Sequence, residues 1–147
     1  MELKRLGALD CTVVPAASGV TRRVLVLMHG FGAPGDDLVS LAHELSGKGD
    51  TTFVFPAAPL TFSELYGAPP FMDARAWWKL DLESIERARR SGGLRDLTQE
   101  RPEGLDSARA LVVGMLDALR ARHAGATQTP NPKPQTPNPK PQTPVEG

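Results

Sequence analysis

Val24-Leu-Val-Leu-Met28 is an unbroken apolar run that opens on a β-branched residue and leads straight into His29-Gly30-Phe31-Gly32. Such a run suits a strand buried on both faces of a parallel sheet. Thr51-Thr-Phe-Val-Phe55, closed by Pro56, predicts a second buried strand. Between the two, Leu38, Leu41, Ala42 and Leu45 recur at intervals of three and four, with Asp36 placed as an N-cap and Gly47 as the stop. That spacing predicts a helix. Strand, helix and strand on short connections make a βαβ unit, which predicts a parallel sheet. Leu9–Val14, halted by Pro15, predicts a short edge strand.

Residues 57–79 show no steady period and include Pro59, Pro69 and Pro70. They read as a loop of a length that is uncommon unless the loop has a task. Residues 81–90 predict a short helix with Leu82, Ile85 and Ala88 inward, broken by Ser91-Gly92-Gly93. Pro102 suits the first position of a helix. Leu105, Ala108, Leu111, Val112, Met115, Leu116 and Leu119 then follow at near-ideal helical spacing. Arg120, Arg122 and His123 suit that helix's carboxyl end, and Gly125 stops it.

The prolines divide the chain. Of its 14, 7 lie between Pro130 and Pro144, where Gln-Thr-Pro-Asn-Pro-Lys-Pro runs from Gln128 and again from Gln135. Proline forbids a helix there, and alternating prolines favour extended polyproline II that buries nothing. The expected organisation is one α/β domain over residues 1–126 and a Pro-rich, disordered tail over residues 127–147.

Composition narrows the function. Lysine plus arginine number 17 and so do aspartate plus glutamate, which argues against a nucleic-acid or anionic-membrane surface. Cys11 is the one cysteine, so it makes no internal disulfide and no multi-thiolate zinc site. No apolar run approaches the ~20 residues that cross a bilayer. Residues 1–10 carry Lys4 and Arg5 but no apolar block after them, unlike a secretory signal. A cytoplasmic protein is the expectation. Asp36, Asp37, His43 and Glu44 read as a cap and a solvated face, with no metal or other cofactor implied. Arg87, Arg89 and Arg90 form a short basic run, but Glu83, Glu86 and Asp96 surround it, so it reads as a solvated face and not a phosphate site.

Candidate chemistry begins at His29-Gly30-Phe31-Gly32. A Gly-rich turn at the carboxyl end of a parallel strand is where open α/β sheets place ligands. Glycines on both sides of Phe31 free the backbone to aim N–H groups at one point. Such a donor stabilises a developing oxyanion by roughly 3–4 kcal/mol. The same four residues also read as a tight turn with no catalytic duty. Phe62, Tyr66, Phe71, Trp77 and Trp78 lie in the aperiodic stretch, where aromatics either plug a core or line an apolar pocket.

His29-Gly-Phe-Gly32 with Gly35-Asp-Asp-Leu38, then Phe53-Val-Phe-Pro-Ala-Ala-Pro59, then Arg75-Ala-Trp-Trp78 with Asp81, form a series. It resembles the phospholipase/carboxylesterase family of α/β-hydrolases, the relatives of acyl-protein thioesterases. The resemblance runs from about Val24 to His123. It implies a serine hydrolase fold acting on small carboxylic esters or thioesters. It makes the backbone N–H of Phe31 an oxyanion donor within the turn His29, Gly30 and Gly32, and sets Trp77 and Trp78 at the border of an acyl pocket.

The departure is equally specific. Such enzymes carry a nucleophile in Gly-x-Ser-x-Gly, then an acid, then a histidine. None of Ser18, Ser40, Ser46, Ser63, Ser84, Ser91 and Ser107 sits in that pattern. Where the family would build its nucleophile strand, after His123, the repeats begin. The expected fold is therefore a partial α/β-hydrolase, a parallel sheet flanked by helices without the nucleophile strand and the carboxyl-terminal half. The resemblance places the missing strand beside Val24–Met28, leaving there an unpaired apolar edge open to self-association, and a chain of marginal stability. Three readings stay open. One is the amino-terminal part of an esterase, truncated by a frame shift or insertion and inactive alone. Another is a non-catalytic module that binds an acyl or other hydrophobic ligand and docks through its Pro-rich tail. The last is a hydrolase with an unorthodox nucleophile.

Overall fold

The computed structural model describes residues 1–92 and 101–124. The Pro-rich tail and the stop at Gly125 lie outside them. A four-stranded sheet, ordered β1-β2-β4-β3, is built from β1 (Glu2–Leu6), β2 (Leu9–Val14), β3 (Arg23–Val26) and β4 (Thr51–Pro56). A two-stranded ribbon of β5 (Leu60–Thr61) and β6 (Arg75–Ala76) stands apart from it. The helices are α1 (Leu41–Glu44), α2 (Phe62–Tyr66), α3 (Leu82–Arg90) and α4 (Leu105–Arg122).

β4 is the axis. All its residues are buried, because its two faces meet two cores. Val54 faces Leu6, Leu9, Cys11 and Val13, which pack under Ala108, Met115 and Leu119 of α4. Phe53 and Phe55 face the other way, stacked at 6.5 Å, against Ala42, Leu38 and Val39. Alternation of side chains along the strand serves both layers at once. β3 runs parallel to β4, with Leu25 opposite Phe53 and Val26 opposite Val54. The parallel unit expected from the apolar runs is present. The sheet as a whole is mixed, however, because β1, β2 and β4 pair antiparallel.

Several expectations are corrected. β2 is internal, since β1 pairs along its outer side. β1 escapes the hydrophobic pattern because Glu2, Lys4 and Arg5 break it. The hairpin itself is short, with Leu6 opposite Leu9 and Gly7 at φ +58° as the first turn residue, the geometry a primed two-residue turn needs. β3 is not buried on both faces. Val24 and Val26 pack toward α4, whereas Leu25 is 40% and Met28 44% exposed.

The helix expected from Asp36 shrinks to α1. Asp36 caps nothing: Val39, Leu41, Ala42 and His43 donate to carbonyls three residues back, the tight winding of a 3₁₀ helix. Ala42 is buried as expected, but Leu45 is exposed. The aperiodic stretch also has structure. Thr61 and Glu64 form a capping box around the start of α2, and Gly67 ends it at φ +66°. α3 is capped by Asp81, whose carboxylate accepts from the Ser84 N–H, yet it buries none of its residues fully and Leu82 faces solvent. α4 matches its predicted face. Its N-cap is Gly104, so Pro102 precedes the helix instead of opening it.

The hairpin turn abuts α4. A Cβ on Gly7 would come within 2.9–3.0 Å of the Gly114 and Met115 backbone, while one on Gly19, also at positive φ, would meet nothing. Gly7→Ala adds a clash to backbone strain and is expected to lower the unfolding free energy by about 2–4 kcal/mol. Gly19→Ala carries the strain alone, about 1 kcal/mol. Urea unfolding of the two variants measures the difference.

Candidate active site

β3 ends at Val26, and Leu27 donates once more to Val54 O at 2.9 Å. The chain then leaves the sheet at its carboxyl end through His29-Gly30-Phe31-Gly32. His29 is 4% exposed, and both its ring nitrogens are occupied. Nε2 accepts the Ala58 N–H at 3.0 Å, so it carries no proton, and Nδ1 therefore donates to Gly30 O at 2.9 Å. The His29 carbonyl accepts Trp77 Nε1–H at 3.0 Å, and the two rings lie 5.7 Å apart. His29 thus fastens the turn after β3 to the segment after β4. Trp77 fastens it to the segment after β6.

The ribbon completes the frame. Gly32 N–H donates to Arg75 O at 2.8 Å, and Arg75 N–H returns to Ala33 O at 3.1 Å. The Arg75 guanidinium reaches Ala58 O at 3.2 Å and Asp73 at 2.8 Å. Gly35 lies so close to Ala57 that a Cβ would fall 2.6 Å from the alanine methyl. The three sequence stretches that carried the resemblance therefore meet at one place, through backbone groups more than through side-chain tips.

Within this frame the Phe31 N–H has no acceptor among the described residues, whereas the Gly32 and Ala33 N–H groups do. Gly32 holds φ +81°, and its α-carbon passes the Phe62 ring, where a Cβ would sit 3.4 Å away. The Phe31 ring contacts Phe62 and Tyr66 at centroid distances of 4.9 and 6.2 Å, and Phe62 and Tyr66 are 5.1 Å apart. Tyr66 is anchored in turn, its hydroxyl donating to Leu80 O and accepting Leu80 N–H, both at 3.0 Å. An aromatic wall thus stands beside an unengaged N–H, with Phe31 itself 41% exposed.

The other sequence candidates fall elsewhere. Trp77 is buried in the α4 core behind the turn, and Trp78 is half-buried against the same core, its Cβ 3.2 Å from where a Cβ on Gly104 would lie. A cavity of about 660 Å³ opens beyond Tyr66, among Leu65, Leu80, Leu82, Ile85 and Pro102. Neither tryptophan lines it. Cys11 is buried, its thiol 3.7 Å from Leu9 O and pushed up to about 11 by burial and by the neighbouring Asp10 charge, which makes it a poor nucleophile. His29, with both nitrogens committed, has none left to take a proton from a serine. The hydroxyls of Ser18, Ser46 and Ser91 donate to backbone carbonyls. No helix among the described residues is long and apolar enough to cross a membrane.

No protein-family model and no curated protein matches the chain. Among solved structures it is similar to the crystal structure of esterase PE8, with 32% identity over 80% of this chain and a TM-score of 0.59. The match covers 47% of that esterase, so this chain spans about half its length. Together with a mixed sheet and a few helices, the similarity supports a hydrolase-like fold.

The frame is expected to behave as one unit. Trp77→Phe keeps a ring in the core but leaves His29 O buried without its donor, a loss of about 1–3 kcal/mol. His29→Ala strands the Ala58 N–H as well. The two rings are neighbours at 5.7 Å, so a double-mutant cycle read by urea unfolding should return a coupling of at least about 0.5 kcal/mol.

Proposed function

We propose that this chain carries the oxyanion-binding and acyl-binding part of a carboxylic-ester or thioester hydrolase of the phospholipase/carboxylesterase kind, and supplies no nucleophile of its own. The observation that carries the reading is the Phe31 N–H, at the carboxyl end of β3, which has no acceptor among the described residues, in a turn held by the His29 ring, the His29 carbonyl and the Gly32 N–H. The similarity to esterase PE8 supports the hydrolase-like fold on which this reading is built.

The chemistry follows from the parts. A carbonyl oxygen placed against Phe31 N–H would gain negative charge as its carbon is attacked, and a donor already fixed in place has no reorganisation to undergo. The Phe31, Phe62 and Tyr66 rings present apolar surface for the acyl chain. Trp77 acts through His29, as a positioning residue held behind the turn. Attack itself needs a group this sequence does not place there: it contains no Gly-x-Ser-x-Gly, and Cys11 and His29 are committed to the core. In this reading residues 1–126 correspond to the amino-terminal part of such a hydrolase, and the chain by itself hydrolyses nothing.

Two measurements on the folded 147-residue chain test this together. With p-nitrophenyl acetate and a fluorophosphonate probe, neither turnover above background nor labelling is expected. A short-chain methyl ketone, which offers a carbonyl and an alkyl group but cannot be cleaved, is expected to shift the Phe31 amide resonance and leave that of Gly32 in place. Turnover by the chain, or a Phe31 resonance indifferent to the ketone, would overturn the proposal.

A further inference from the structure

Of the three rings beside the Phe31 N–H, one is bonded at its far end. Phe31 and Phe62 are hydrocarbon rings with no atom to tether. Tyr66 spends both capacities of its hydroxyl on a single residue, donating to Leu80 O and accepting Leu80 N–H, each at 3.0 Å. Leu80 in turn lies between Trp78, which packs against the α4 core, and Asp81, the cap of α3. At the other end of the side chain, α2 is fixed by the Thr61–Glu64 capping box and by Gly67. Swinging the Tyr66 ring aside would therefore break two hydrogen bonds at once.

That ring also stands at a boundary. On one side it meets Phe62 at 5.1 Å and Phe31 at 6.2 Å, both edge-on. On the other it lines the cavity of about 660 Å³, with Leu65, Leu80, Leu82 and Ile85. Phe31 and Phe62 do not line that cavity. Tyr66 is the ring shared by the two apolar spaces.

We infer that Tyr66, held by Leu80, is the stop that limits the acyl group of this site to a short chain. Resting on the oxyanion and acyl reading above, the stop adds a substrate class to it: esters or thioesters of short-chain acids. A carbonyl oxygen on the Phe31 N–H would start its alkyl chain beside the Phe31 ring, and the chain would meet Tyr66 within a few carbons. A ring free to swing would let a longer chain pass into the space behind it. A ring bonded through its hydroxyl turns that chain back. One methylene in an apolar pocket shifts discrimination by roughly 10–200-fold, so such a stop sets a cut-off sharp enough to measure.

Methyl ketones with ethyl, butyl and octyl chains, titrated against the full 147-residue chain and read at the Phe31 amide resonance, test this. The butyl ketone should bind more tightly than the ethyl, and the octyl at least tenfold more weakly than the butyl. Tyr66→Ala removes the stop and should raise the octyl-to-butyl affinity ratio at least tenfold. Tyr66→Phe keeps the ring but frees it from Leu80, and should raise the ratio at least threefold. Phe71→Ala, at an aromatic that is 86% exposed on the same stretch, should leave the ratio at its wild-type value. An octyl ketone bound by the wild type as tightly as the butyl overturns the stop and leaves the oxyanion reading standing. So does a ratio unmoved by Tyr66→Ala, because a merely structural role would weaken every ketone alike. A Phe31 resonance indifferent to all chain lengths overturns the oxyanion reading itself, and the stop with it. Should Tyr66→Ala fail to fold, Tyr66→Phe decides, and an unchanged ratio there contradicts the stop.

Discussion

A buried imidazole with both nitrogens committed holds the functional end of this molecule together. His29 accepts a backbone N–H from the segment after β4 and donates to the carbonyl of the residue that follows it. Its own carbonyl receives an indole N–H from the segment after β6. Burying these polar groups would be costly if any of them lacked a partner. Because each has one, the same burial makes the arrangement specific. The turn cannot drift without breaking several bonds at once, and within it the Phe31 N–H has no acceptor among the described residues.

The sheet imposes the second constraint. β4 is buried throughout because α4 closes one of its faces and the 38–45 turn the other. That arrangement delivers the ends of β3 and β4 to one side, where the turn and the Pro56-Ala-Ala-Pro59 corner lie close enough for Gly35 to touch Ala57. Among the described residues β3 is also the outer strand of the sheet on that side. The apolar run that places the turn is therefore the strand whose outer backbone groups no described residue satisfies. Positioning of the site and exposure of the edge share one cause.

Much of this was legible in the residues. Val24–Met28, Thr51–Pro56 and the Leu105–Leu119 stripe declare themselves through period and β-branching, and the Gly-flanked Phe31 marks the turn. What the pattern hid, it hid for identifiable reasons. β1 is an edge strand whose protective charges erase the alternation that would reveal it. The Asp36 segment has helical spacing but is drawn into three-residue turns, so spacing survives while the cap does not. Residues 57–79 look aperiodic because their elements are too short for a period to show, although Thr61-x-x-Glu64 carries the capping-box signature. Trp77 reads as a pocket aromatic, and only the fold shows it spending its one donor on the His29 carbonyl. The contribution of His29 is likewise a matter of backbone partners, which no spacing of residue types encodes.

Amide hydrogen exchange resolved by residue tests the frame most directly. Ala58 N–H is held by the imidazole, Gly32 N–H by Arg75 O, and Phe31 N–H by none of the described residues. Ala58 and Gly32 should exchange slowly, Phe31 close to the rate of an open chain, and Trp77→Phe should speed Ala58 and Gly32 together. A protected Phe31, or an Ala58 that exchanges as freely as Phe31, would contradict it.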